Sequence, residues 1–238
     1  MLSLNEVYVG EPAVLGHRRN EPVLSAIRKT RVDAAELALS ELNLAGDRQA
    51  DLTVHGGPDK AVYVYPVEHY PVWASEGYDV AHGDFGENLS VGGALEDDVR
   101  IGDVWSWGDA VVQVSQPRHP CFKLAMRTGR KEVVPAMIDA ERCGWYLRVL
   151  RPGVVPTSGK ISVERADGPT VAETFRVAAA NYAQPDPAGP LLELAARVLS
   201  ADALPGSYRA GIQSKVDRAL ARTSRWATSS RSAETGRS

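Results

Sequence analysis

Apolar and polar positions alternate in short runs through the first 165 residues. Ala61-Val62-Tyr63-Val64-Tyr65 is short, β-branched and aromatic, and Val111–Val114 and Lys160–Glu164 show a period of two. Trp105 and Trp107 fall on one face of another such run. Gly144 opens Trp145-Tyr146-Leu147-Arg148-Val149-Leu150, and Pro152-Gly153 then marks a turn. Strands at this spacing predict a barrel or sandwich. Ala34 to Leu44 looks helical by composition, yet Leu37/Leu39 and Leu42/Leu44 alternate around Ser40-Glu41, which predicts two short strands. Two helices interrupt the β region. Pro66 to Glu76 places Tyr70 and Trp73 on one face, and Lys131 to Glu141 aligns Val134, Met137, Ile138 and Glu141.

The texture changes after Arg165. Thr170 followed by Glu173 is a capping box, predicting a helix to about Ala180. Asn181 to Pro190 reads as a linker, Leu191 to Leu199 as a second helix, and Pro205 as the start of a third that runs to about Arg222. The organisation expected is a β domain over residues 1–165, three helices over 166–225 and a Ser/Thr/Arg-rich disordered tail over 226–238.

The chain of 238 residues is long enough to bury a core without disulfides or a structural metal. A net charge of −3 argues against a general nucleic-acid binder, although the stretch from Arg209 onward is +5 against −8 for the rest. No apolar run approaches the length of a membrane span, so no membrane association is expected. Met1 to Gly10 lacks the pattern of a signal peptide. With only Cys121 and Cys143, a disulfide framework is excluded and a reduced, cytoplasmic setting is expected.

Two clusters carry candidate chemistry. Gly46 to Lys60 combines Arg48, His55, Gly56-Gly57 and Lys60 with three aspartates. Paired glycines with nearby cations can hold an anion, and the same residues also make an ordinary polar turn. Their spacing fits neither a P-loop nor a dinucleotide fingerprint. In the second, Ser115 to Lys123, Cys121 follows Arg118-His119-Pro120 and precedes Lys123. Such surroundings favour a reactive thiolate, whereas a lone cysteine is otherwise a small buried hydrophobe. Cys143 lacks these neighbours and reads as buried and inert. Asp84 to Ser90 is an Asn-containing turn, and His17, His69 and His82 read as surface or capping histidines.

Taken together, these stretches resemble the MOSC family, the molybdenum-cofactor sulfurase C-terminal domains, and within it the YiiM-like branch. The resemblance runs through Ser25 to Lys29, Gly46 to Asp51, His55 to Val62, Phe85 to Leu89, Ile101 to Asp103 and Gln116 to Cys121, in the family's order. It covers about residues 1–165, and the helical remainder looks like the three-helix domain attached in this branch. Tyr208 stands where relatives carry a tryptophan.

The resemblance implies a mainly β protein with α: a MOSC-type β-barrel followed by a small three-helix C-terminal domain. It implies a molybdenum cofactor, molybdopterin with its metal, and carries pyridoxal phosphate binding as a further association. Cys121 stands at the family's molybdenum ligand. Lys29, Arg48, Lys60 and Arg118 are then candidates for the cofactor phosphate and pterin, with His55, Gly57 and Asn88 lining the same pocket. The activity implied is molybdenum-dependent reduction of N-hydroxylated small molecules, including hydroxylaminopurine-type base analogues. No flavin, haem or iron–sulfur motif is visible, so a separate electron-donor reductase is the expected partner. Two alternatives stay open: a non-catalytic carrier of sulfurated cofactor, and a redox-sensing thiol on a ligand-binding barrel.

Overall fold

The structure is a computed structural model that describes residues 1–50, 56–182 and 189–235, with residues 222–235 as backbone alone. The described strands are β1 (Leu2–Val9), β2 (Ala13–Arg18), β3 (Glu21–Ser25), β4 (Thr30–Arg31), β5 (Glu36–Leu39), β6 (Val62–Pro66), β7 (Leu89–Gly92), β8 (Val104–Trp107), β9 (Ala110–Pro117), β10 (Trp145–Arg151), β11 (Gly153–Pro156) and β12 (Gly159–Glu164). The helices are α1 (His69–Ser75), α2 (Phe122–Thr128), α3 (Val133–Asp139), α4 (Val171–Ala179), α5 (Gly189–Leu199) and α6 (Gly206–Thr235).

Seven strands close a barrel in the order β1-β12-β8-β9-β10-β6-β7, with β4 added beside β1. Neighbours are antiparallel except β6 and β7. Closure leaves the barrel no free edge to template aggregation. Outside it, β5 pairs with β11, and β2 with β3 as a hairpin.

The strand period of two divides the side chains into two cores. Val62, Val64, Trp105, Trp107, Trp145 and Leu147 fill the barrel, with the Trp105 and Trp145 rings edge to face at 6.0 Å. The alternate residues Tyr63 and Tyr65 point outward and join Tyr70, Trp73, Phe85, Leu124, Val133 and Met137 under α1, α2 and α3. β6 is therefore buried on both faces. The helices after residue 165 belong to the barrel's own cluster: Val171, Phe175, Ala195, Val198, Ile212 and Val216 are continuous with it. Burying Phe175 fully contributes about 1.5–3 kcal/mol.

The barrel with C-terminal helices is the architecture expected from sequence. The capping box is formed: Thr170 Oγ1 accepts from Glu173 N at 3.1 Å, and the Glu173 carboxylate accepts from Thr170 N at 2.8 Å. Four details differ. The two strands expected over Ala34 to Leu44 reduce to β5 and a single bridging residue, Leu44. Between them Ser40 and Asn43 close a turn, with Ser40 N donating to Asn43 O. On α3 the buried stripe is Val133 and Met137, and Glu141 lies past the helix end at φ 54. There it pairs with Arg176, which relieves it of the core position expected. α6 continues to Thr235, well beyond Arg222 and into the segment expected to be disordered. No glycine or proline lies between Gly211 and Thr235 to stop it. Part of the expected linker, residues 183–188, lies outside the described residues, and α5 begins at Gly189. Among the described residues, no helix is long and apolar enough to cross a membrane.

His69 is not a surface histidine. It is 7% exposed, and its Nε2 meets Glu96 Oε2 at 2.7 Å. Glu96 Oε1 accepts from Gly144 N at 2.7 Å, so this buried carboxylate ties α1 to the start of β10. Gly144 in turn accepts from Arg118 N through its carbonyl at 3.2 Å. It adopts φ 62, and a Cβ there would lie 2.3 Å from Val64 O. We expect Gly144→Ala to destabilise the protein by about 2–4 kcal/mol, from left-handed strain plus displacement of β6. Equilibrium denaturation measures this; a loss below that of an ordinary surface substitution would contradict the close approach.

Candidate functional site

On the outer face of β6 and β10 lies an open cleft of about 120 Å³. Chain segments far apart in sequence build it. Ser25 to Lys29 come from the link between β3 and β4, Asp47 to Ala50 from the loop after β5, and Lys60 from the 3-10 turn Pro58–Lys60. Phe85, Gly86 and Asn88 come from the loop before β7, and Arg118, His119, Cys121 and Lys123 from the end of β9 and the start of α2. Tyr63 and Tyr146 face each other across β6 and β10 in register, with ring centroids 5.3 Å apart. Gly86 forms wall by backbone alone: at φ 80, a Cβ there would meet Ile27 Cγ1 at 2.5 Å.

Asp47 organises the floor. Its Oδ1 accepts from Gly10 N at 2.8 Å and from Lys29 Nζ, and its Oδ2 accepts from Asn88 Nδ2 at 2.9 Å. The Lys29 and Asp47 side chains are 6% and 5% exposed. Burial pulls the Lys29 ammonium down, and the Asp47 charge holds it up. Asn88 Oδ1 accepts from Tyr63 N at 3.0 Å, and Nδ2 also donates to Tyr8 O at 3.1 Å. Its amide therefore joins β1, β6 and Asp47 as a wall element. Gln49 ties the rim: Nε2 reaches Leu42 O at 3.1 Å and Lys60 O at 3.2 Å, and Oε1 accepts from Gly57 N at 2.6 Å.

The charges on this wall do not balance. Lys29, Arg48, Lys60, Arg118 and Lys123 face one carboxylate, Asp47, among the described lining residues. Arg48 is at the rim, its side chain 73% exposed, with Glu11 at 3.7 Å. Arg118 is the reverse case: only 6% exposed, with no carboxylate of the described residues paired to it. Its guanidinium lies over the Tyr63 ring at 4.9 Å, and Nη1 is 3.6 Å from Met137 Sδ. Burial disfavours its charge, but Tyr63, Tyr146 and Cys121 beside it favour that charge and raise its pKa. A desolvated cation–π contact returns about 2 kcal/mol or somewhat more, less than the several that desolvating an unpaired charge costs.

Cys121 is half-buried at the N-cap of α2, with its backbone extended at φ −137 and ψ 175. His119 stacks on Phe175 at 5.1 Å and Tyr208 at 6.3 Å, so α4 and α6 back this side of the cleft. Burial lowers His119 to about 4, helped by Lys215 and Arg118. His119 is therefore neutral at pH 7. Cys143 is sealed, and burial pushes its thiol well up.

The structure brings Lys29, Arg48, Lys60, Asn88, Arg118 and Cys121 to one cleft. Gly57 stays behind the rim, bonded to Gln49, and His55 lies outside the described residues. Sequence reasoning gave no role to Asp47, Gln49, Tyr63 or Tyr146. Asp47 and Gln49 sat inside the densest polar cluster, which is a signal; the tyrosines read only as strand residues.

The model of the MOSC domain family matches residues 51–163. The uncharacterized protein YflK of Bacillus subtilis (strain 168) is 40% identical over 221 residues, 92% of this chain and 96% of its own. The chain belongs to the MOSC domain family. It is YiiM-like: protein YiiM of Escherichia coli (strain K12) is 41% identical over 178 residues, covering 73% of this chain and 77% of YiiM. The crystal structure of YiiM from Geobacillus stearothermophilus superposes with a TM-score of 0.71 at 29% identity, over 90% of this chain and 99% of that one. A protein of Gibberella moniliformis (strain M3125 / FGSC 7600) named reductase is 38% identical over 148 residues, 59% of this chain but 26% of its own length.

Beside the cleft, Glu87 is fully buried. Its Oε1 accepts from Tyr70, from Gly83 N at 2.6 Å and from Ser90 Oγ at 3.3 Å, while Oε2 has no partner among the described residues. Burial raises its pKa above the ordinary 4.5, against these hydrogen bonds. Above pH 4.5 the folded state therefore holds a proton that the unfolded state has lost. The stabilisation from Glu87 is complete below 4.5 and falls as pH rises through the folded value. Glu87→Gln cannot ionise, so its stability relative to the native protein should improve steadily from pH 4.5 upward. Urea titrations across pH 4 to 7 test this, and a pH-independent difference would refute it.

Proposed function

We propose that the cleft binds the molybdenum cofactor and that the protein is a reductase of N-hydroxylated compounds, hydroxylaminopurine-type base analogues included. The observation that carries this reading is the buried Arg118, paired to no carboxylate of the described residues, in the same cleft as the half-buried Cys121. A buried guanidinium without a counter-ion calls for an anionic ligand. An accessible thiol beside it offers the soft donor that suits molybdenum. The residues present thus fit the group. Pyridoxal phosphate fits less well, because Lys29, the buried lysine of the cleft, is held by Asp47.

When bound, the cofactor supplies the two-electron redox centre for N–O cleavage. The chain's own residues do the rest. Cys121 is the protein's ligand to the metal. Arg118 offers a planar fork of donors and Lys60 a point charge to the phosphate and pterin. Lys29 sets the potential of the floor with Asp47, and Arg48 guides anions at the rim. Phe85, Tyr63 and Tyr146 keep the inner wall dry, and neutral His119 adds no further positive charge. Electrons come from a separate reductase. The reductase name of the Gibberella moniliformis relative supports the redox reading.

Two cysteine variants test it in protein expressed where the cofactor is made. Cys121→Ser should abolish hydroxylamine reduction and leave the melting temperature of cofactor-free protein nearly unchanged. Cys143→Ser should keep activity and lose roughly 1–3 kcal/mol, because a hydroxyl replaces a sealed thiol. Arg118→Ala should lower cofactor occupancy roughly tenfold or more, read as molybdenum content and oxidised-pterin fluorescence. An active, molybdenum-loaded Cys121→Ser protein overturns the assignment. Full loading without turnover in the native protein, with reductant supplied, favours a carrier instead.

A further inference from the structure

We propose that Tyr146 contacts the ligand directly, and that its hydroxyl and the Arg118 guanidinium form a donor-rich recess for one anionic oxygen group of the phosphate type. This rests on the cleft being the ligand site, as in the reading above, but not on molybdenum.

The argument is one of hydrogen-bond satisfaction. A phenol out of bulk water normally gives its proton to an acceptor. Tyr63 donates to Cys143 O at 3.0 Å, Tyr65 to Arg142 O at 3.2 Å, Tyr8 to Glu6 Oε2 at 2.6 Å, and Tyr70 to Glu87. Tyr146 lines the cleft, and no acceptor for its hydroxyl occurs among the described residues. Nor is that oxygen among the sealed, partnerless atoms, as the Tyr208 hydroxyl is, so it is open to the cleft.

The neighbouring group repeats the pattern. The Arg118 guanidinium is close enough to Tyr146 to act on its oxygen. Its only side-chain acceptor apart from that is the weak sulfur of Met137. The Arg118 guanidinium and the Tyr146 hydroxyl thus meet at one end of the cleft, beside the Cys121 thiol, with no carboxylate among the described residues paired to them. Tyr146 stands on β10, in register with Gln116 on β9 and Tyr63 on β6, and Arg118 directly follows β9, its N bonded to Gly144 O. The donors are held in place before a ligand arrives.

A recess in which Arg118 carries the charge selects by charge and by lone pairs. A cation is repelled by Arg118. An oxyanion satisfies both groups through charge-assisted hydrogen bonds. Tyr146→Phe removes one of these and, within the protein, only the contact of Arg118 with the phenol oxygen.

The test uses cofactor-free, full-length protein and inorganic phosphate as the probe, titrated by calorimetry. The native protein should bind phosphate, Arg118→Gln should lose it, and Tyr146→Phe should bind roughly tenfold more weakly with an unchanged melting temperature. Tyr65→Phe is the control, because its hydroxyl serves Arg142 O and its side chain does not line the cleft. It should lower the melting temperature and leave phosphate affinity alone. Native affinity in Tyr146→Phe, equal weakening in Tyr65→Phe, or phosphate binding that is absent or independent of Arg118 overturns the inference, whatever the molybdenum content. Phosphate binding that depends on Arg118 and Tyr146 in a protein that never takes up molybdenum leaves this inference standing and removes the cofactor reading.

Discussion

No side chain of β6 faces water, and most of the architecture follows from that. A strand buried on both faces needs two cores. Val62 and Val64 close one inside the barrel, while Tyr63 and Tyr65 must be covered from outside. The covering is supplied by α1, α2, α3 and the loop through Phe85, all placed around an aromatic layer. A second layer on a curved barrel cannot be sealed everywhere, and the cleft lies where it stays open, between Tyr63, Tyr146 and Phe85. The site is thus a by-product of where the outer core ends, and its inner wall has the rigidity of barrel strands.

Charge is arranged on this frame with a definite asymmetry. The wall's carboxylate, Asp47, is engaged three times over, by Gly10, Lys29 and Asn88, and has little left for Arg118. Asp47 neutralises the floor and fixes β1 to the loop before β7, while the guanidinium above Tyr63 keeps an unbalanced charge. Stability alone would favour pairing or removing such a group, so its persistence in a buried position points to a ligand.

Much of this was legible in the sequence, and the remainder has a common cause. Strands such as β9 and β12 announce themselves by local alternation, and Thr170 with Glu173 specifies a helix start within four residues. The cleft cations and Cys121 were found because polar clusters and a cysteine flanked by cations are local signals too. What was missed depends on register and long-range pairing. Tyr146 meets Tyr63 only because β10 aligns with β6 at that step, and a shift of one residue would turn it into the barrel. His69 is buried by a glutamate 27 positions away, and Gln49 acts on carbonyls on either side of it. Neither partner leaves a trace in composition or periodicity.

The shared core of barrel and C-terminal helices also bears on how the molecule comes apart. Phe175, Val198 and Ile212 belong to the same continuous apolar cluster as Trp105 and Leu147, although a cleft opens beside it between Gly102 and Gln113 of the barrel and Arg197 to Ala203. Stripping them away would uncover part of that cluster, and with it the ring stack that supports His119. The apolar cluster thus couples the stability of the cleft to that of the C-terminal helices, so a substitution that loosens α4 or α6 is expected to be felt at His119.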